Sequence, residues 1–243
     1  MTDAQLARSI AEEAVRLLLA IRAGGPTGKS LGDEGDARAN RLILDLLAAA
    51  RPGEAVLSEE SHDDHARLAD SRVWIVDPLD GTREYAEGRD DWAVHVALAI
   101  GGRPAAGAVA LPALGRALAS DDRARPHILQ TRPRMVVSRS RPPALALRAA
   151  EALGAELIPM GSAGAKAMAV AEGRADIYLH AGGQHEWDNC APVAVALARG
   201  LHASRIDGSA LVYNRLDPYL PDLLICHPAL ANEVLALMRR LDR

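Results

Sequence analysis

"WIVDPLDGTREY", residues 74–85, decides the reading. Trp74, Ile75 and Val76 have the character of a buried strand. Two aspartates then arrive three apart, Asp77 and Asp80, with Pro78 between them and Gly81 and Thr82 after. Neither acid has an obvious basic partner nearby. Pro and Gly at these positions make a good turn, and Asp favours turns by bonding its own backbone. Taken alone the stretch is therefore an ordinary turn as readily as a site.

Outward from it, the pattern divides. Leu6, Ile10, Leu17 and Ile21 recur at helical spacing and predict a helix over residues 3–23. "AGGPTGKSLGDEGD" reads as a Gly-rich loop, and a second helix runs from about Ala37 to Ala50, stopped by "RPG". The strands "AVLS", "RVWIV" and "DWAVHVALAI" follow; in the last, Trp92, Val94, Val96, Leu98 and Ile100 keep a period of two. "AAGAVALP" and "RALAS" continue an antiparallel meander. Residues 121–134 are polar and carry Pro, and read as a linker. Beyond it strand and helix alternate: "RMVVS", helix 143–153, "ELIPM", helix 163–173, "DIYLH", helix 189–199, then strands "LVYN" and "DLLIC" and a C-terminal helix "PALANEVLALMRRLDR". The fold class is α/β: an α+β N-terminal half over residues 1–130 and an α/β C-terminal half over 131–243.

Composition narrows the function classes. The chain has 243 residues, 49% of them hydrophobic, enough for a sizeable core. A formal charge of −4 with no basic block argues against binding a nucleic acid polymer. Cys190 and Cys226 are two cysteines and no disulfide framework, so free thiols of a cytoplasmic protein are expected. The first residues carry acids inside their apolar stretch, as an amphipathic helix does and a signal peptide does not. No apolar run reaches the ~20 residues of a membrane span.

Further acids stand at similar junctions. Glu59 and Glu60 end the strand of "LSEES", Asp188 precedes an apolar helix in "EWDNCAP", and Asp36 opens the second helix. Helix-start aspartates are often caps, and loops collect at strand ends. If these carboxylates converge, they repel unless protonated or bridged by cations. Hard divalent ions prefer oxygen ligands and suit phosphate substrates. Zinc-type His and Cys clusters are absent from these motifs. A Gly81-Thr82 turn leading into a helix offers amide groups to a phosphate.

"DPLDGT" (77–82), "WDNCAP" (187–192) and "LSEES" (57–61) together resemble the inositol monophosphatase superfamily of Mg²⁺-dependent, lithium-sensitive phosphatases. The likeness spans nearly the whole chain. "DPLDGTREY", "VVSRS" (136–140) and "GSAGAKAMAVAEGRADIYLH" (161–180) look like the CysQ branch, the 3′(2′),5′-bisphosphate nucleotidases, in its actinobacterial form. The resemblance implies a layered αβαβα sugar-phosphatase fold and two or three Mg²⁺ ions. Asp77, Asp80, Glu59, Asp188 and the Leu79 carbonyl would be metal ligands, with Pro78 turning the chain so that both aspartates and that carbonyl face one point. Glu59 and Thr82 would hold the attacking water, and Asp36 would act on a third metal or its water. Gly81 and Thr82 would face the phosphate. Gly161, Ser162 and Lys166, with Ser138 and Arg139, would bind substrate. A homodimer is compatible with the resemblance.

Two departures stand out. Arg141 in "SRSR" replaces a His linked to base recognition, and Cys190 and Pro192 replace smaller residues of the commoner "WDxAAG". Other features have plainer readings: Trp74 and Trp187 as core, "SHDDH" (61–65) as a solvated loop, His185 as a pocket or structural histidine, Cys190 as a small buried residue. The implied reaction is hydrolysis of 3′-phosphoadenosine 5′-phosphate to AMP and phosphate by metal-activated water. Inositol phosphate or fructose 1,6-bisphosphate hydrolysis on the same metal core is the near rival, and "TREY" rather than "TTNF" favours the nucleotide. A silent nucleotide or metal sensor is the rival of a different class, and the full acidic set argues against it.

Overall fold

Side-chain alternation along the central strand sets the layering. In the computed structural model, which describes residues 1–124 and 127–241, strand β2 (Arg72–Asp80) sends Trp74 and Val76 to one face and Val73 and Ile75 to the other, and all four are buried. Both faces of this sheet must therefore be covered. Helices α1 (Asp3–Gly24) and α2 (Lys29–Ala50) cover the Trp74 face through Leu18, Ile43 and Leu47. Thr2 and Gln5 cap the start of α1 reciprocally, side chain to backbone.

The first sheet has the order β1-β2-β3-β4-β5. Here β1 is Ala55–Ser58, β3 Ala93–Ile100, β4 Arg103–Leu111 and β5 Arg116–Ala119. β1 runs parallel to β2 and the other pairs are antiparallel. A short helix α3 (Thr82–Ala86) leaves the end of β2. Beyond β5, residues 125 and 126 of the polar 121–134 stretch lie outside the described residues.

The second sheet collects β6 (Arg134–Ser138), β7 (Glu156–Met160), β8 (Ile177–His185), β9 (His202–Ser204) and β10 (Tyr219–Cys226) in the order β7-β6-β8-β10-β9. Helices α5 (Ala163–Ala171) and α6 (Glu186–Ala198) lie between the two sheets, with Met168 and Val193 joining Val73 and Ile75 to Tyr178 and Ile225 in one core. Helices α4 (Ala144–Ala152) and α7 (Pro228–Leu241) close the far face over Met135, Leu179 and Leu224. The layers are thus helix, sheet, helix, sheet, helix.

Several local expectations fail for tertiary reasons. α2 starts at Lys29, so Asp36 lies inside the helix, buried, and does not open it. The glycines that suggested a loop serve close packing: a Cβ on Gly32 would stand 2.7 Å from Thr82 Cγ2, and one on Gly35 3.0 Å from Tyr85 Cε1. Pro78 makes no turn. β2 continues through it to Asp80, and its pairing with β3 shifts between Asp77 and Asp80, a bulge that frees Pro78 from donating to the ladder. Asp188 is the third residue of α6, which begins at Glu186. "LVYN" is no strand: Tyr213 N–H donates to Gly102 O and Asn214 N–H to the Glu186 carboxylate, so its backbone is tied to a loop and to the first residue of α6. The edge strand β9 lay unpredicted; it is only three residues long.

Candidate metal centre and substrate pocket

The alternation that buries Val73 and Ile75 against α5 and α6 carries Asp77 to the same side, where it is 1% exposed. Asp77 Oδ1 accepts the Leu79 N–H at 3.0 Å, a side-chain-to-backbone bond within the bulge that fixes the carboxylate and leaves its charge unbalanced. The bulge brings Asp80 to the same place, and α6 brings Asp188 from across the molecule. One oxygen from each of Asp77, Asp80 and Asp188 lies within 4.8 Å of the others. Burial, then the charges of Glu59, Asp80 and Asp188, push Asp77 well above the usual carboxylate range. Burial and Asp80 raise Asp188 as well. Glu59 keeps a face toward solvent, yet local burial and the charges of Asp188, Asp36 and Asp80 push it up to about 7.

Asp36 approaches from α2. Burial, reinforced by Glu60, pushes it up to about 7. Thr82 Oγ1 stands 3.1 Å from Asp36 Oδ2 and 3.2 Å from the Leu79 carbonyl; its one proton serves either acceptor, not both. Gly81 is in the left-handed region at φ 93°, and a Cβ there would stand 3.0 Å from Ser162 Cβ. That glycine lets the chain turn from β2 into α3 under the start of α5.

Asp80 is the exception among the acids. It accepts the amide N–H groups of Ala163 at 3.1 Å and Gly164 at 2.6 Å, the first turn of α5. His95 Nε2 lies 3.2 Å from Asp80 Oδ2, close enough to pair its charge. Burial alone would raise Asp80, but His95, the Gly164 amide and the Lys166 ammonium hold it below the usual range. His95 is wholly buried, and its Nδ1 donates to the Trp187 carbonyl at 3.0 Å, so that nitrogen carries a proton. Burial would depress it; Asp80 outweighs that and raises it. No sequence motif marked His95. Its signal was a lone polar residue inside "DWAVHVALAI". Gly164 makes room for it, since a Cβ there would collide with the His95 ring nitrogen.

The substrate-side residues separate. Lys166 is 5% exposed, no surface lysine; its ammonium donates to the carbonyls of Gly161 and Ser162 and lies 5.5 Å from the centre of the Tyr178 ring. Burial depresses its pKa. Gly161 donates to Asp91 at 2.7 Å, and Ser162 caps α5 by accepting Ala165 N–H. Ser138 lines the cavity beside Asp80, but Arg139 turns away to pair with Glu84 at 2.9 Å and Glu87 at 3.0 Å. Tyr85 is core: its hydroxyl donates to the Leu18 carbonyl at 2.7 Å. Of "REY", only Arg83 is exposed.

Beyond the carboxylates opens a cavity of about 460 Å³ lined by Asp80, Asp188, Lys166, Tyr178, His180, Gln184 and Arg141. Tyr178, Gln184 and His180 are further pocket residues the sequence left unmarked. "SHDDH" is a loop exposed at His62, Asp64 and His65, tethered where Asp63 accepts from Arg67 at 2.7 Å. His185 stacks on Trp187 at 4.7 Å, outside this cavity lining. Cys190 and Cys226 are free and buried.

Asp77, Asp80 and Asp188 cluster, with Glu59 near enough to feel the charges of Asp188 and Asp80, and neither Asp77 nor Glu59 draws on a cation; such a set fits divalent cations held by oxygen. A model of the inositol monophosphatase family matches residues 2–241. The chain is 50% identical to the 3′-phosphoadenosine 5′-phosphate phosphatase of Mycobacterium leprae over 259 aligned positions, 98% of this chain and 94% of the relative. It is 54% identical to the protein of the same name from Mycobacterium tuberculosis, over 90% of this chain and 86% of the relative. The crystal structure of CysQ from Bacteroides thetaiotaomicron superposes with a TM-score of 0.78 at 26% identity, covering 93% of this chain and 97% of that one.

Proposed function

The chain belongs to the inositol monophosphatase family, and from that premise we propose that it is a Mg²⁺-dependent phosphomonoesterase that converts 3′-phosphoadenosine 5′-phosphate to AMP and phosphate. The convergence of Asp77, Asp80 and Asp188 within 4.8 Å carries the catalytic part of this reading. The similarity to the two mycobacterial phosphatases carries the substrate.

Asp77, Asp80, Asp188, Glu59 and the Leu79 carbonyl would hold two or three Mg²⁺ ions, which would supply Lewis acidity toward the phosphate and lower the pKa of water. Glu59 orients and deprotonates the attacking water. Thr82, aligned by Asp36, holds the same water through its hydroxyl. The amides at Gly81 and Thr82 bind the phosphate oxygens. Ser138, Gly161, Ser162 and Lys166 shape the pocket for the rest of the substrate. Arg139, paired with Glu84 and Glu87, would reach the substrate through Glu84. The site draws on both sides of a division near residue 130, and the cytoplasm is the compartment. Among the described residues no helix is long and apolar enough to cross a membrane.

A substrate panel tests the proposal. With saturating Mg²⁺, kcat/KM is expected to be highest for 3′-phosphoadenosine 5′-phosphate, below it for inositol 1-phosphate and fructose 1,6-bisphosphate, with inhibition by millimolar lithium. A higher value for inositol 1-phosphate would sink the nucleotide assignment.

A further inference from the structure

Two cavities meet beside the carboxylates. The larger runs from Asp80 and Asp188 toward His180; a second, of about 310 Å³, runs from Asp80 over Gly81 and Thr82. Arg141 lines both. Among the described residues Arg83 also has no ion pair, but it lines only the smaller cavity; two further cations near this wall are engaged. Arg139 is held by two glutamates, and the Lys166 ammonium by two carbonyls. Among the described residues, the Arg141 guanidinium has no hydrogen bond and no ion pair. Its backbone is nevertheless fixed, because the Arg141 N–H donates to Ser138 Oγ at 3.2 Å and closes the 138–141 loop against the pocket. An unpaired arginine on open surface needs no explanation. One standing in the wall shared by two cavities, opposite a cluster of acids, is suited to a ligand anion other than the one that the acids process.

We propose that Arg141 binds the phosphate that is not cleaved, the 5′-phosphate of the nucleotide, and so sets the preference for a bisphosphate over a monophosphate; this rests on the nucleotidase reading above. The planar guanidinium matches a phosphate with two parallel hydrogen bonds, which an imidazole at this position cannot supply. The rival role for an arginine here is stacking on the base. That role serves 3′-AMP and 3′-phosphoadenosine 5′-phosphate equally, whereas a phosphate contact serves only the second.

The experiment compares kcat/KM for both nucleotides, and for inositol 1-phosphate, in the wild type, Arg141→Gln and Arg141→Lys. Arg141→Gln is expected to lower the value for the bisphosphate by about 10- to 100-fold, the range of a charge-assisted contact, and to leave 3′-AMP within about twofold. Arg141→Lys, which keeps the charge without the fork, recovers part of the loss. Competitive inhibition by AMP weakens by the same factor, and inhibition by adenosine does not change. A parallel fall for both nucleotides, or no fall for the bisphosphate, overturns the assignment. A wild-type enzyme that prefers inositol 1-phosphate to both nucleotides overturns the reading beneath it instead. Arg141 is exposed and without side-chain partners, so both variants keep the wild-type melting temperature.

Discussion

Five nearby acids do not behave alike. Asp80 sits among three sources of positive charge, while Asp77 has only carboxylates and apolar strand around it. Asp80→Asn keeps one acceptor for the α5 amides but points an NH₂ group at the other, and it leaves His95 without its counter-charge. We expect kcat to fall by about 100-fold or more, and near-normal turnover would remove Asp80 from the reaction. The raised acids make a second prediction, for the metal-free protein. A carboxyl whose folded pKa lies above its unfolded value binds extra protons on folding, so its stability contribution is full below the unfolded value, near 4, and is lost as pH rises through the folded one. For Asp36 the folded value is about 7. The melting temperature without metal should therefore fall between about pH 4 and pH 7, and Asp36→Asn should flatten that fall. Added Mg²⁺ should raise it more at pH 8 than at pH 5. An identical slope in Asp36→Asn would refute the first part.

Elements carry the next decision, where local propensity and packing disagree. Gly32 lies in the interior of α2, where alanine would favour the helix by up to about 1 kcal/mol. The 2.7 Å approach to Thr82 Cγ2 opposes that gain, and the thing it would displace is the start of α3. Gly32→Ala should leave the melting temperature within a few degrees of wild type while lowering kcat by about tenfold, through Thr82. Full activity would show that α3 yields without cost. The same conflict explains why a Gly-rich loop was the natural reading of residues 23–36. Glycine is a breaker in a chain taken alone, and a spacer where an added Cβ would stand about 3 Å from the side chains of a second helix. Pro78 is similar. It marks a turn in isolation, and a bulge once a partner strand exists to be bulged against.

At the scale of the whole molecule, some buried acids are wholly structural. Asp176 is 0% exposed and accepts from the Arg134 side chain at 2.9 and 3.0 Å, from the Arg134 amide at 2.7 Å and from His127 at 2.7 Å. It fastens the start of β6 to the turn before β8, the frame on which α5 and Asp188 are carried. Burial would raise its pKa, but Arg134 and His127 hold it down. The sign is opposite to that of the metal-site acids. Its stabilisation is present above the unfolded pKa and is lost as pH falls through the folded one. Asp176→Asn should cost about 3 kcal/mol at pH 7 in urea unfolding, with little change in kcat per folded molecule; a loss below about 0.5 kcal/mol would deny it this role.

Much of the layered fold was legible before any coordinates. The two-residue period in "DWAVHVALAI" and the strand–helix alternation after residue 134 are local patterns, enforced by backbone geometry alone. The acidic motifs were legible too, because unpaired carboxylates at strand ends are chemically conspicuous wherever they fall. What the chain could not disclose in one dimension was proximity. His95 and Asp80 are fifteen residues apart in sequence and 3.2 Å apart in space. Arg139 and Arg141 differ by two positions, yet one is taken by Glu84 and Glu87 and the other faces the pocket. Sequence determined which groups carry charge and which faces are apolar. Only the tertiary structure decided which charges neutralise one another inside the protein and which remain for a ligand, because Coulomb energy depends on separation and burial, and both are set by long-range packing.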